Sequence, residues 1–359
     1  MTNVVDTHGE VLDSAAPGLA VSPDPIIAVR ARGYWESVWL RFKRDRLAVV
    51  GGVVIILLFL VAFIGAPVAS HLLGHGPNEP FISPVFDSKT GQQLPGAVTA
   101  DGIPVGPWST VYSMDLNGNV QKTLFVLGAD SSLGRDEFLR VLYGAQVSLE
   151  VGVGATLLTI VLGVLLGAIA GFYRGWADTV ISRAIEVIMA FPYLLFVIAF
   201  AGTVGTRLNK VTLGFLGEGV LTLIVVFGFL GWFYSARVFR SVALSLREKE
   251  FVEAARMVGS SNWRILRSHI LPHLVGPLIV LVTFSVAGYI LAEAGLSFLG
   301  LGIALPTASW GTLLKDALLY KTERPVLMLW PGLALLLTTL SFNLMGDGLR
   351  DAFDPKSSR

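Results

Sequence analysis

Few residues in this chain stand where chemistry could be done. The stretch Glu250–Gly259, EFVEAARMVG, is a charged island between two long apolar runs. Glu186 and Glu293 fall near the ends of other apolar runs, and Asn343 lies inside one. A polar or ionisable group in a bilayer is costly to bury, so such residues mark either a substrate or proton path or a side chain reaching the interface. Glu186 has Arg183 one turn back as a partner. His71 and His75 stand four apart, a spacing that lets two histidines share a metal on one helix. Gly74 and Gly76 weaken that helix and favour solvated loop histidines. Asp115-x-Asn117-x-Asn119 resembles the start of a calcium loop, but the twelfth position is Val126, where a bidentate Glu is required. A turn is the better reading.

The usual catalytic cradles are missing. No Gly-x-x-x-x-Gly-Lys-Ser/Thr, no Gly-x-Ser-x-Gly and no His-Glu-x-x-His occurs. The absence of cysteine excludes disulfides, thiolate catalysis and cysteine-based zinc sites. The expectation is a chain that is not an enzyme and carries no catalytic, cofactor or metal site of its own.

The elements that must position these residues are written in the composition. Of 359 residues, 53% are hydrophobic and only 15% charged, where a soluble domain has about a quarter. Lys plus Arg (27) balances Asp plus Glu (26), which leaves no basic field for nucleic acid. A helix that crosses a bilayer needs about 20 mostly apolar residues. Six runs qualify: Leu47–Ser70, Val147–Phe172, Ile185–Val204, Val220–Val238, Val275–Leu296 and Leu327–Met345. Arg30, Arg32, Arg41, Lys43, Arg44 and Arg46 crowd the entry to the first run, and Arg240, Arg247, Lys249, Arg256, Arg264 and Arg267 fill 239–274. By the positive-inside rule both regions are cytoplasmic. The segment 71–134 contains only Lys89 and Lys122 and faces outside. The expected layout is an all-α polytopic membrane protein with six spans. A cytoplasmic tail (1–46, its first 30 residues disordered rather than a signal peptide) leads into the first span, 47–70. A long extracytoplasmic loop with an interfacial helix (71–146) follows, then a core of five spans (147–348) containing the cytoplasmic insert 239–274, and a cytoplasmic tail (349–359).

Within that layout, VYSMDLNGNVQKTLFV reads as a β-hairpin turning at Asn117-Gly118. Leu133, Phe138, Leu139, Leu142 and Tyr143 form an apolar stripe, with Arg135, Asp136, Glu137 and Arg140 facing elsewhere, so an amphipathic helix at the outer interface is expected. Gly163, Gly167 and Gly171 recur every fourth residue and suit close helix approach, either inside the chain or at a partner seam. Pro192 should kink the third span. SFLGLG, with Gly300 and Gly302, should turn at the outer surface, and Asp347, Arg350 and Asp351 can pair at the inner boundary.

The insert 239–274 is too short to be a domain. SLREKEFVEAARMVG gives about three helical turns, with Phe251, Ala254, Ala255 and Val258 on one face, a Lys249–Glu253 pair, and Gly259 as C-cap. A short amphipathic helix with small residues suits a groove on another protein; a loop hugging the membrane is the plain alternative. Glu253-Ala254-Ala255-x-x-x-Gly259 followed by Leu271-Pro272 resembles the EAA motif of ABC-importer permeases, with His269 in place of that family's Ile. LGADSSLGRDEFLRVLYGAQVSL, AEAGLSFLGLG with Pro306 and Ser309-Trp310-Gly311, and FNLMGDGLRDAFDP are similar to the C-type permease subunit of the dipeptide, oligopeptide and nickel importers. The resemblance covers about 125–355 and the first span. It implies a type I ABC importer permease fold and a coupling helix (Phe251, Glu253, Ala254, Ala255, Val258, Gly259) that docks on an ATPase. It also implies a second homologous permease, two cytoplasmic ATPase subunits that carry the ATP and Mg, an extracytoplasmic substrate-binding protein, and a place in the bacterial cell membrane with both termini cytoplasmic. The implied cargo is di- or oligopeptide, with nickel or another small solute as alternatives. Glu186, Pro192, Glu293 and Asn343 are the candidates for a translocation path. A rival from another class is a proton-coupled secondary transporter using Glu186 or Glu293.

Overall fold

The structure, a computed structural model, describes residues 33–82, 84–87, 91–114, 120–200, 203 and 219–354. The first 30 residues and the Asn117-Gly118 turn lie outside them. A short amphipathic helix, α1 (Tyr34–Arg44), precedes the first long helix, α2 (Arg46–Leu73). Asp45 separates them, and its carboxylate accepts from the N–H groups of Leu47 and Ala48 at 3.0 and 3.2 Å, which satisfies donors that α2 leaves open. A π turn at Val61–Gly65 lies just ahead of Pro67, which cannot donate a regular helical bond. The long helices α3 (Glu137–Tyr173), α6 (Val220–Arg247), α9 (Val275–Phe298) and α11 (Val326–Phe353) complete five that are long and apolar enough to cross a membrane among the described residues.

The expected third span is not one straight helix. α4 (Gly175–Met189) and α5 (Tyr193–Phe200) meet at 87° across the break before Pro192. The pair is either a broken span or a re-entrant segment, and the expected end at Val204 lies outside the described residues. Proline removes a backbone donor and disfavours helix in the residue before it, which accounts for the break.

The glycine ladder of α3 packs inside the chain. A Cβ on Gly163 would come 2.5 Å from Ser235 Cβ, one on Gly167 2.5 Å from the Ala236 carbonyl, and one on Gly171 2.5 Å from the Arg240 carbonyl. All three neighbours are on α6. The α2–α11 crossing uses the same device: a Cβ on Gly51 would lie 2.7 Å from the Ser341 carbonyl, and one on Gly348 would lie 2.1 Å from Ala48 Cβ. α9 packs between α3 and α11, and α10 (Trp310–Leu318) caps that group. α1 lies on the last turn of α11, where Trp35 meets Phe353 edge-on at 6.0 Å and Arg41 donates to the Asp354 carbonyl at 3.0 Å. The two terminal segments, read from sequence as separate tails, are joined.

Between α2 and α3 the chain makes two antiparallel hairpins, β1 (Val85–Asp87) with β2 (Gln92–Leu94) and β3 (Ser109–Met114) with β4 (Val120–Phe125), the latter in register Ser109↔Phe125 to Met114↔Val120. Phe81, Ala97, Val111, Phe125 and Ala129 form their small core. This hairpin region covers the start of α3 and overturns three expectations. There is no separate interfacial helix, because α3 runs unbroken from Glu137. Arg135, Asp136, Glu137 and Arg140 are buried rather than turned to solvent. His75 is buried as well, while His71 is exposed, so they share no site. α2 ends at Leu73, with Gly74 in the left-handed region at φ +75. For Arg135, Asp136, Arg140 and His75 the physical reason is mutual pairing, since buried charges persist only when paired, whereas Glu137 Oε1 is buried with no hydrogen-bond partner among the described residues. Asp130 lies 2.6 Å from Arg135 and 2.7 Å from Arg140. Arg140 also donates to Asn78 Oδ1 at 2.8 Å, and Arg135 reaches Asp316 of α10 at 3.4 Å.

His75 sits against Phe81 and Phe125 with ring centroids 5.2 and 5.9 Å away. Its Nδ1 faces the Leu73 carbonyl and its Nε2 faces Asp136 Oδ2, both at 3.1 Å. Both neighbours can only accept, so both ring nitrogens must carry hydrogen. Burial alone pushes the imidazolium down. The hydrogen bonds to Asp136 and Leu73 and the charges of Asp136 and Glu79 outweigh it, and the pKa lies above the ordinary histidine value. A folded-state pKa above the unfolded one stabilises fully below the unfolded value, about 6.5, and that contribution fades as pH rises through the folded value. The melting temperature of the purified chain in detergent should therefore fall as pH rises above about 6.5, and His75→Gln should show a shallower fall. Equal slopes would contradict the assignment. Gly167→Ala should cost about 1–3 kcal/mol through overpacking, read as a lower melting temperature, while Gly288→Ala, which meets open space, should not.

Candidate functional site

The charged island forms a short helix, α7 (Glu250–Met257). Its start differs from the expectation. Ser245–Arg247 still belong to α6, and Lys249 has extended backbone at the N-cap (φ −85, ψ 147), so the Lys249–Glu253 pair is not made and α7 has about two turns. At its other end Gly259 adopts φ +86. The N–H of Gly259 donates to the Arg256 carbonyl at 2.9 Å and that of Ser260 to the Ala255 carbonyl at 3.0 Å, the paired bonds of a Schellman cap.

The expected apolar face is divided between two surroundings. Val252 is fully buried, and Phe251 and Ala255 turn with it onto Ile265, Leu266 and Ile270. Those three come from a second helical stretch, α8 (Asn262–Ile265), continued by a π turn, Leu266–Ile270. Ser261 caps it by accepting from the Arg264 N–H at 3.4 Å. The His273 ring stacks on Phe251 at 5.1 Å, so His269 and His273 form one wall of the seat. Glu253, Ala254, Met257, Val258 and Gly259 are exposed, with Met257 at 84% and Val258 at 88%. A short helix thus holds one edge in the protein and offers another, partly apolar, edge outward.

The seat is tied to the long helices. Arg256 lies over the Phe172 ring at the end of α3, 6.0 Å from its centroid. Phe172, Phe239 and Ala243 share the core on which Val252 rests. Arg174, between α3 and α4, pairs with Glu248 just before α7. Arg240 of α6 holds Asp178 of α4 through two contacts, one of them 2.9 Å. Packing and ion pairs thus join α7 and its seat to α3 and α6, and α6 to α4.

The four candidates for a path do not come together. Glu186 is exposed on α4 and bonds to Arg183 at 2.6 Å. Pro192 stands at the 87° break. Asn343 is exposed on α11. Glu293 is fully buried; one oxygen accepts from Ser148 at 2.8 Å and the other from Ser297 at 2.7 Å. Ser297 Oγ accepts in turn from the Ile303 N–H at 3.0 Å. Glu293 fastens α9 to α3 and to the turn that follows. In that turn Gly300 takes φ +80, so the chain does leave the helix within SFLGLG.

A cleft of about 340 Å³ lies instead among α5, α6 and α9, with Tyr193, Gly231, Tyr234, Ser285, Gly288 and Tyr289 in its wall. Tyr193 follows Pro192 directly. Composition and periodicity do not single out these tyrosines, because each stands alone in an apolar run. The one available signal is a hydroxyl at helical spacing within a span.

Comparison with known proteins shows the family. Residues 163–359 match the family model of the binding-protein-dependent transport system inner membrane component, and residues 33–90 match the N-terminal TM domain of oligopeptide transport permease C. The glutathione transport system permease protein GsiD of Pectobacterium atrosepticum is 34% identical over 333 residues, 92% of this chain and 95% of that protein. The dipeptide transport system permease protein DppC of Bacillus subtilis is 35% identical over 336 residues, 91% of this chain and 87% of that one. The oligopeptide transport system permease protein OppC of the same organism is 34% identical over 330 residues, 92% of each. A solved structure of the MetNI methionine ABC transporter in inward-facing conformations aligns over 60% of this chain and 96% of that chain, with TM-score 0.47 and 17% identity. This chain belongs to the binding-protein-dependent transport system inner membrane components: it is a multi-pass inner-membrane permease subunit of an ABC importer, in the branch of the dipeptide and oligopeptide permeases.

Proposed function

We propose that this subunit carries di- or oligopeptides across the membrane with a second, homologous permease, two ATPase subunits that dock on α7, and a substrate-binding protein that delivers cargo to the hairpin face. The six-span layout is part of the proposal, with α4 and α5 as one broken span and both termini in the cytoplasm beside α7. The observation that carries it is the divided helix: Val252, Phe251 and Ala255 anchor α7, while Glu253, Ala254, Met257 and Val258 are left outward. An anchored helix with a small-residue and apolar outer edge suits insertion into a groove of a partner. Peptide cargo is supported by the relatives, which are named as dipeptide, oligopeptide and glutathione permeases.

In this scheme ATP binding draws the ATPases together and moves α7. Through Arg256 on Phe172 and Arg240 on Asp178, α3, α4 and α6 shift as a unit between states open to either side. Each state is favoured by a different ligand, nucleotide on one face and loaded binding protein on the other.

The test is uptake into proteoliposomes containing the whole transporter. Glu253→Lys places a cation on the outer edge of α7, and Gly259→Pro forbids the left-handed cap. Both should reduce ATP-driven peptide uptake at least about tenfold. Glu253→Lys should leave the melting temperature unchanged, because an exposed substitution typically costs no more than about 0.5 kcal/mol. Normal uptake by both variants would refute the docking assignment. Uptake of nickel or another small solute in place of peptide by the wild type would refute the cargo class.

A further inference from the structure

The cleft among α5, α6 and α9 has Tyr193 and Tyr289 in its wall. Gly231 is 11 residues beyond Val220, and Tyr289 is 9 residues before Phe298. At 1.5 Å per residue they lie about 16 and 14 Å from the hairpin ends of their helices, close to the middle of a hydrocarbon core about 30 Å thick. At that depth an unpaired hydroxyl is costly, and phenylalanine would pack as well.

The two rings are fixed and their hydroxyls are side by side. Tyr289 stacks on Phe227 with centroids 5.5 Å apart, and Tyr193 meets Phe233 edge-on at 6.2 Å. Tyr289 Oη is 2.8 Å from Thr159 Oγ1 of α3. Gly231 leaves the room for it, since a Cβ there would come within 2.0 Å of that oxygen. Tyr193 Oη is shielded from solvent and faces the Tyr289 hydroxyl, and among the described residues it makes no hydrogen bond of good geometry. The rest of the wall is neutral: Gly231, Ser285 and Gly288 beside the tyrosines. The volume falls in the range of sites that enclose small ligands.

We infer that Tyr193 and Tyr289, with Thr159 behind them and Gly231 making room, form a midplane binding wall for the backbone amides of a peptide in transit. This rests on the peptide cargo proposed above. A hydroxyl can donate to a carbonyl and accept from an N–H, so two adjacent hydroxyls fit a peptide unit whichever way it passes. A neutral wall reads no side-chain charge, which suits cargo of varied sequence. Beside Tyr289 the Tyr193 hydroxyl keeps donor or acceptor capacity to spare, and that capacity is what cargo engages.

The experiment measures ATP-driven uptake of trialanine and of its backbone N-methylated analogue by the complete transporter in proteoliposomes, each at a concentration that saturates the binding protein. Tyr193→Phe should narrow the preference for the unmethylated peptide by about 3- to 10-fold, the range for one hydrogen bond. Its melting temperature should stay the same or rise, since the lost hydroxyl is unsatisfied in the free protein. A preference equal to that of the wild type would overturn the inference, and so would a loss of uptake matched by a fall in melting temperature, which marks a merely structural tyrosine. A wild type that takes up neither peptide with ATP would instead overturn the cargo class, a result separate from either variant outcome.

Discussion

The close approach of α3 and α6 is the constraint on which the rest depends. In lipid, apolar side chains gain nothing by leaving the hydrocarbon, so helices associate through tight packing and polar contacts. Gly163, Gly167 and Gly171 bring the α3 backbone against Ser235, Ala236 and Arg240 so closely that no Cβ fits between. At one end the pair presents Phe172 and Phe239 to the underside of α7, and Arg240 to Asp178. At mid-depth it places Thr159 and Gly231 around the Tyr289 hydroxyl. In the proposed scheme a push on α7 and a change in the cleft are two ends of one lever, with no contact between them required.

The far end of that lever is held by charge. Asp130, Arg135, Asp136, Arg140, His75 and Asp316 gather the end of α2, the hairpins, the start of α3 and α10 into one buried cluster. Removing one partner from such a cluster leaves an uncompensated charge, which costs more than the pairing gains. The cluster is weak as a source of net stability and strong as a specification of position. Glu293 does the same for α9 with serine hydroxyls. A hairpin end fixed by charge is consistent with the proposed scheme, in which α7 is the end that is pushed.

Much of this was legible in the sequence because the bilayer constrains so strongly. Apolar length located five of the helices, and the glycine at 259 with the motif around Glu253 located α7 and its cap. The glycine ladder was legible as a close approach but not as to its partner, since spacing on one helix says nothing of which surface it meets. In the third run Pro192 marked the break, but composition gave no measure of the 87° between α4 and α5. The start of α3 misled. Arg135, Asp136 and Arg140 look solvated beside a local apolar stripe, and what stabilises them when buried is Asp130 close by together with His75, Asn78 and Asp316, which are distant in sequence. His75 was misread for the same reason. The tyrosine wall was not legible because three helices and α5 must be folded before its hydroxyls meet.

The central claim is that the outward edge of α7 is where force enters the permease. The chain contains no cysteine, so a thiol placed at one position reports on that position alone. Val258→Cys, at a side chain 88% exposed, should react rapidly with a hydrophilic maleimide in the isolated permease pair and be protected when the ATPase subunits are added, whereas Leu72→Cys, 79% exposed at the hairpin end of α2, should label equally in both. Equal labelling of Val258→Cys with and without the ATPases bound would contradict the account.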